Sequence, residues 1–279
     1  MATPATAADG GYFDGIAARY DAHRSTYPDA LIDRGCEIAG LQRGDPVLEI
    51  GPGTGHLTIA LDGRGLAVTA VEPGAHLIEI ARAKTPNVNF LHTTLEQAEL
   101  PAAHFGAVFA ASAIHWPDPD LSWRLIADTL IPGGTLELIS FFGLRVPDDD
   151  QAAQLSILKD VAPEVYARFP QPPTREELSA NVERHRQNIS LAWQPYTLND
   201  IAREYAAELF DAAELNLVVE DLHQTAAETI DVLSTMSFGR LPETRQTEIA
   251  VRFAALEQDL GRPLHTTRAC LLMTARRRG

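Results

Sequence analysis

The 279 residues suffice for one large domain, or a domain with a cap, around a real hydrophobic core, because single cores stop growing at about 250–300 residues. Hydrophobic residues at 45% and charged residues at 22% match ordinary globular usage, which excludes collagenous, disordered and disulfide-scaffold classes. The formal net charge of -15, from 23 Lys+Arg against 38 Asp+Glu, repels phosphate backbones and anionic lipid, so neither a nucleic-acid nor a membrane partner is expected.

The first residues, MATPATAADGG, lack the basic start and apolar run of a signal peptide, and no eighteen apolar residues run together, so cytoplasm is the default expectation. From Gly11 to Leu41, apolar residues at three- and four-residue steps predict two helices joined at Tyr27-Pro28. Val47–Ile50 predicts a strand that breaks into Gly51-Pro52-Gly53-Thr54-Gly55 and then a helix from His56. The alternation continues: strand Leu66–Val71, helix Ala75–Lys84, strands Val88–His92 and Ala107–Ala111, helix Leu121–Leu130, a Pro132-Gly133-Gly134 turn and strand Thr135–Ser140. Strands alternating with helices imply right-handed crossovers and a doubly wound, mostly parallel sheet. Residues 145–187 and 199–262 read as helical cap insertions, and 188–196 and 263–277 as late strands returning to the sheet.

A strand ending in Gly-x-Gly-x-Gly and opening a helix sets bare backbone against a ligand. A dinucleotide site wants a further glycine where this chain has His56, which weakens a dehydrogenase assignment, and no Lys-Ser or Lys-Thr pair follows to make a P-loop. Glu72 ends the second strand 21 positions after Gly51 (72 minus 51), where doubly wound folds place an acid that accepts from ribose hydroxyls. The pair predicts a nucleoside cofactor.

The stretch Val47-Leu-Glu-Ile-Gly-Pro-Gly-Thr-Gly55, the strand end Val71-Glu72-Pro73, Ala110-Ala-Ser-Ala-Ile-His-Trp116 and Leu130-Ile-Pro-Gly-Gly-Thr135 resemble class I S-adenosylmethionine (SAM)-dependent methyltransferases in wording, order and interval. Phe13-Asp14-x-x-Ala17-x-x-Tyr20-Asp21-x-x-Arg24-x-x-Tyr27-Pro28 resembles the N-terminal lid of their small-molecule branch. The resemblance covers about residues 11–140, with a weaker echo in the last strand and Ala275-Arg276-Arg277. It implies a Rossmann-like seven-stranded sheet with an antiparallel last strand, a lid at 11–41, a SAM-binding core at 42–144 and S-adenosylhomocysteine (SAH) as the cofactor product.

The resemblance also assigns residues. Gly51, Gly53 and Gly55 would lie against the methionyl part of SAM, Glu72 on the ribose, Pro73 beside the adenine, and Thr94 and Leu95 at the adenine edge, with Glu49 counted in the same set. Many relatives carry Asp where this chain has Thr94, so backbone groups, the Thr hydroxyl or Glu96 must replace it. Ser112 would contact the methionyl part, and Tyr20 and Arg24 would clamp its carboxylate from the lid.

Methyl transfer from a sulfonium is an in-line displacement that asks for alignment, exclusion of water and, for a weak nucleophile, a proton acceptor. His115, just beyond the fourth strand, is the candidate base, with loop orientation as its alternative role. Trp116 is an aromatic wall or a core residue, and Phe141, Phe142 and Arg145 leave the fifth strand where an acceptor pocket would lie. Met236 and Phe238 sit at a break between helical stretches, facing either a substrate or ordinary packing. Cys36 and Cys270 lack metal spacing and should pack as small apolar residues; Asp148-Asp149-Asp150 and Arg276-Arg277-Arg278 read as solvated, with no metal site. The leading expectation is transfer to a small-molecule acceptor, oxygen ahead of nitrogen or carbon; a cyclisation or rearrangement on the same fold, a non-catalytic SAM binder and a dehydrogenase are the alternatives.

Overall fold

A computed structural model describes residues 7–167, 171–197 and 199–279. Its centre is a seven-stranded sheet in the order β3-β2-β1-β4-β5-β7-β6. The strands are β1 (Pro46–Ile50), β2 (Ala67–Glu72), β3 (Asn89–His92), β4 (Phe105–Ala111), β5 (Leu130–Gly143), β6 (Glu214–Gln224) and β7 (Leu264–Arg276). β1 to β5 pair in parallel, whereas β7 runs antiparallel to both neighbours, as expected for the last strand of this architecture. Strand order reverses between β1 and β4, so their carboxyl ends open a crevice at the switch point.

Alternate strand residues feed two cores. Val47, Ala70, Phe109, Ile139 and Leu272 pack with helices α3 (Asp29–Ala39), α4 (His56–Gly63) and α5 (Ala75–Lys84) on one face. Leu48, Val108, Leu138 and Leu271 pack on the other against α6 (Pro119–Thr129), α9 (Arg175–His185) and α10 (Ile189–Trp193). A third core of Leu158, Val161, Phe238, Ile249 and Phe253 holds together the cap, made of α7 (Gln151–Val161), α8 (Pro163–Tyr166), α12 (Ala226–Ser234) and α13 (Glu243–Leu260). The N-terminal segment forms α1 (Ala7–Gly15) and α2 (Ala17–His23) before α3, three helices where two were expected. The short α11 (Ala206–Leu209) precedes β6.

Residues 188–196 are not a strand. The Asn188 carboxamide caps α10 by accepting from the N–H groups of Ser190 and Leu191, and Ile189, Ala192 and Trp193 bury one helical face. The sixth strand is β6, inside the 199–262 segment expected to be helical; its register with β7 runs unbroken from Glu214 to Gln224. Residues 168–170 of the first insertion lie outside the described residues.

Two segments expected to be solvated are anchored. Asp150 is buried, accepting from both terminal nitrogens of Arg262 (2.7 and 3.0 Å) and from the His265 N–H, while Asp149 accepts from the Thr267 N–H at 3.1 Å. Arg276 and Arg277 donate to the carbonyls of Gly133 and Leu130, and Arg278 to that of Phe210. Cys270 is fully buried and Cys36 half-buried, and burial pushes their thiols up to about 12 and about 11. Among the described residues no helix is long and apolar enough to cross a membrane, and no group of three or more His, Cys, Asp or Glu could hold a metal ion.

Glu137 on β5 is fully buried, and neither carboxyl oxygen has a hydrogen-bond partner among the described residues. A methyl at Gly35 of α3 would stand 3.2 Å from its Oε2, so the helix packs directly on the carboxyl. Burial raises the Glu137 acid well above the usual range, and burial also raises Glu49 on β1 to about 8. The folded state holds these protons longer than the unfolded state, so this contribution to stability is full below the unfolded carboxyl range and is lost as pH rises. Glu137→Met is expected to raise the stability measured by urea unfolding at pH 8 by about 1–3 kcal/mol and to flatten its decline from pH 5 to pH 8; an unchanged or lower midpoint contradicts the assignment.

Candidate methyl-donor site

The site lies at the carboxyl ends of β1, β2 and β4. Gly51, Gly53 and Gly55 all have positive φ (64°, 57° and 89°), which an L-residue adopts only with strain. Gly51 and Gly55 are bare because protein packs there: an added Cβ would stand 2.7 Å from the Ala113 methyl and 3.1 Å from that of Ala81. A Cβ added at Gly53 would have, among the described residues, only the Tyr20 ring within 4 Å, at 3.9 Å, so that side of its backbone faces space under the lid.

Glu72 is buried at the end of β2. One carboxylate oxygen accepts from the Gly53 N–H (3.1 Å) and the other from the Gly74 N–H (2.9 Å). Burial raises its pKa, and the two N–H groups oppose that shift. Each oxygen keeps acceptor capacity for a hydroxyl. Glu49 lies buried below the loop, its Oε2 without a partner among the described residues.

The lid closes over this edge. Asp14 accepts from the His76 and Leu77 N–H groups (2.7 and 3.3 Å), capping the N-terminus of α5 from another helix, and lies 2.7 Å from His76 Nδ1. Asp21 pairs with Lys84, which also donates to the Thr54 carbonyl, and lies 3.6 Å from His56. Tyr20 lies beneath the Arg24 guanidinium (5.0 Å) and edge-on to Phe13, which in turn meets Trp116 edge-on at 5.5 Å. Arg24 donates to the Thr235 carbonyl of the cap, while its buried Nε has no partner among the described residues.

Beyond β4 the chain turns at Ser112, which has φ 54° although it carries a side chain. Its N–H donates to the Ile139 carbonyl at 2.7 Å, and its hydroxyl lies 2.9 Å from that of Ser140 and accepts from Tyr27 at 3.4 Å. This turn lays Ala113 against Gly51 and carries His115 and Trp116 toward the lid. His115 is half-buried, with its carbonyl accepting from the Asn199 carboxamide at 2.7 Å and its ring 4.7 Å from Trp116. Burial lowers its pKa to about 4. Trp116 is 37% exposed, which removes it from the core.

Where the adenine edge is expected, the Pro73 carbonyl accepts from His92 at 3.0 Å, Leu95 is buried, and Thr94 opens the short turn Leu95–Gln97. The Glu96 carboxylate accepts from the Asp118 N–H at 2.7 Å.

The expected acceptor residues divide. Phe141 faces the α3 side, stacked on Tyr27 at 5.2 Å with the Arg268 guanidinium 4.1 Å away. Phe142 points to the opposite face and packs on Trp193 and Tyr196, because neighbours in a strand alternate faces. Arg145 is held by Glu177 at 2.5 Å on the surface, and Phe238 is buried in the cap core. Met236 follows Thr235, the residue that receives Arg24, and stays beside the lid. Phe13, Asp14 and Tyr27 are additions to the expected set, and each stands in the lid motif.

Residues 48–138 match the methyltransferase domain family. The sheet order and the glycine-loop edge around this match have the layout expected of class I SAM-dependent methyltransferases. An uncharacterized methyltransferase of Mycobacterium tuberculosis is 36% identical over 127 residues, 46% of this chain and 51% of that protein. A methyltransferase of Dictyostelium discoideum, provisionally named, is 28% identical over 143 residues, 50% of this chain and 52% of that protein. The chain thus spans about half the length of these curated relatives. Among solved structures, one from Anaeromyxobacter dehalogenans provisionally named a type II methyltransferase shares the fold at TM-score 0.60, with 22% identity over 91% of this chain and 97% of that one. The [4+2]-cyclase SpnF shares it at TM-score 0.54 and 16% identity, over 100% of this chain and 98% of that one.

Asp14→Ala removes the carboxylate that caps α5 and should cost about 0.5–2 kcal/mol of stability. Limited proteolysis should then cut first within residues 11–28; an unchanged melting temperature and cleavage pattern would show that the lid is held without it.

Proposed function

We propose that the protein is a SAM-dependent methyltransferase that methylates a small-molecule acceptor, with oxygen as the acceptor atom. The observation that carries this is the junction of Gly53, open under the lid, with the buried Glu72 carboxylate at the switch point. The residues fit the group: the bare Gly53 backbone would take the methionyl part, Glu72 the ribose hydroxyls, Pro73, Thr94 and Leu95 the adenine, and Tyr20, Arg24 and Ser112 the amino-acid end. When bound, SAM supplies an electrophilic methyl on a sulfonium.

The chain's own residues supply enclosure and a proton acceptor. Phe13, Tyr20 and Trp116 form an aromatic edge that excludes water and suits a nearby cation. His115 is neutral at physiological pH and accepts a proton without first losing one, but at a pKa of about 4 it is a weak base. That matches an acceptor whose own proton is acidic yet still present at neutral pH, such as a phenolic oxygen. Phe141 and Met236 flank the acceptor side.

Incubation with trideuteromethyl-SAM and a metabolite extract should transfer the labelled methyl to a product; bound cofactor with no transfer would favour a cyclisation of the SpnF kind. With the acceptor found, His115→Ala should lower kcat by about 10²-fold or more while SAH affinity stays within about 2-fold. The acid limb of kcat/KM should fall near pH 4; a limb near pH 6.5 that vanishes in His115→Ala would contradict the depressed imidazole.

A further inference from the structure

The 112–116 loop carries three candidate residues of the site, Ser112, His115 and Trp116, yet the first of them holds an unfavourable backbone. A left-handed non-glycine residue costs about 1–2 kcal/mol and persists only where its surroundings over-determine it. Three groups do so at Ser112: the Ile139 carbonyl, the Ser140 hydroxyl and the Tyr27 phenol. Tyr27 comes from the link between α2 and α3, far away in sequence. Its ring lies flat on Phe141 with an interplanar angle of 10°, and Phe141 is in turn covered by Arg268, itself fixed by Glu220 (2.8 Å) and by the Ser25 hydroxyl (2.8 Å). The phenol is therefore delivered by a rigid stack, and burial keeps it protonated, so it acts as a donor.

We infer that Tyr27 is a positioning residue of the methyl-donor site: the phenol, clamped on Phe141, fixes the Ser112 hydroxyl and turn, and thereby sets the 112–116 loop against Gly51 and the amino-acid end of the cofactor. The inference rests on the methyl-donor reading above. It links the lid to the end of β4 through one hydrogen-bond chain, Tyr27 to Ser112 to Ser140, so removing the phenolic hydroxyl should be felt by the amino-acid end of a ligand and not by its nucleoside end.

The test is calorimetric binding of SAH and of 5′-methylthioadenosine, which lacks the amino-acid end, to the wild type, Tyr27→Phe, Ser112→Ala and the double variant, each checked by thermal melting. Tyr27→Phe keeps the stacked ring and should weaken SAH about 3- to 10-fold, the range of one neutral hydrogen bond, while 5′-methylthioadenosine changes by less than about 2-fold. In the Ser112→Ala background the same substitution should have no further effect. Equal losses for both ligands, no loss, or the same loss in both backgrounds overturns the inference. If Tyr27→Phe fails to fold, Ser140→Ala, which breaks the other end of the chain, should show the same ligand split, and its absence would be equally decisive. A wild type that binds neither ligand refutes the methyl-donor reading itself, an outcome distinct from the others.

Discussion

The carboxylate of Glu72 stands between the N–H groups of Gly53 and Gly74 and ties the loop after β1 to the loop after β2. A buried carboxylate tolerates its position only with donors on it, and these two backbone groups are fixed by the strands they end. The glycine loop is thus tied to the end of β2 by the Glu72 side chain. The rest of the edge is arranged around that strut: Ala113 fills the space beside Gly51, Ala81 that beside Gly55, while the space beside Gly53 is bordered by the Tyr20 ring.

The lid is attached at several points to two different bodies. Asp14 and Asp21 hold it to α5 of the core, whereas Arg24 reaches the Thr235 carbonyl of the cap and His23 lies 3.7 Å from Asp231. Closing one segment over the crevice therefore brings core and cap together, and an acceptor bound between them would be shielded from water. These attachments are partly exposed ion pairs and backbone hydrogen bonds, individually worth about 1 kcal/mol or less.

Much of this was legible in the sequence because the signals are local. Helix α5 matches its expected bounds, Ala75–Lys84, and the first five strands follow from short apolar runs punctuated by glycine or charge. Gly-x-Gly-x-Gly and the distant Glu72 are likewise brought together by the parallel β1–β2 register. The errors fall where tertiary contacts decide. Residues 188–196 look apolar enough for a strand, yet the Asn188 cap and Pro195 make them helical, while β6, with Glu, Asp and His interleaved, is a strand because β7 pairs with its whole length. Phe141 and Phe142 cannot share a pocket on adjacent positions of one strand, a matter of period that neighbouring letters conceal. The Ser112 hydroxyl chain was out of reach, since Tyr27 and Ser140 meet it only in three dimensions.

The most direct test of the account is a crystal structure of the protein soaked with SAH. It should show both ribose hydroxyls on the Glu72 carboxylate and the thioether chain running past Gly53 under Tyr20. Density for the ligand elsewhere, or a Glu72 carboxylate still bonded to Gly53 and Gly74 alone with the crevice empty at saturating ligand, would contradict it.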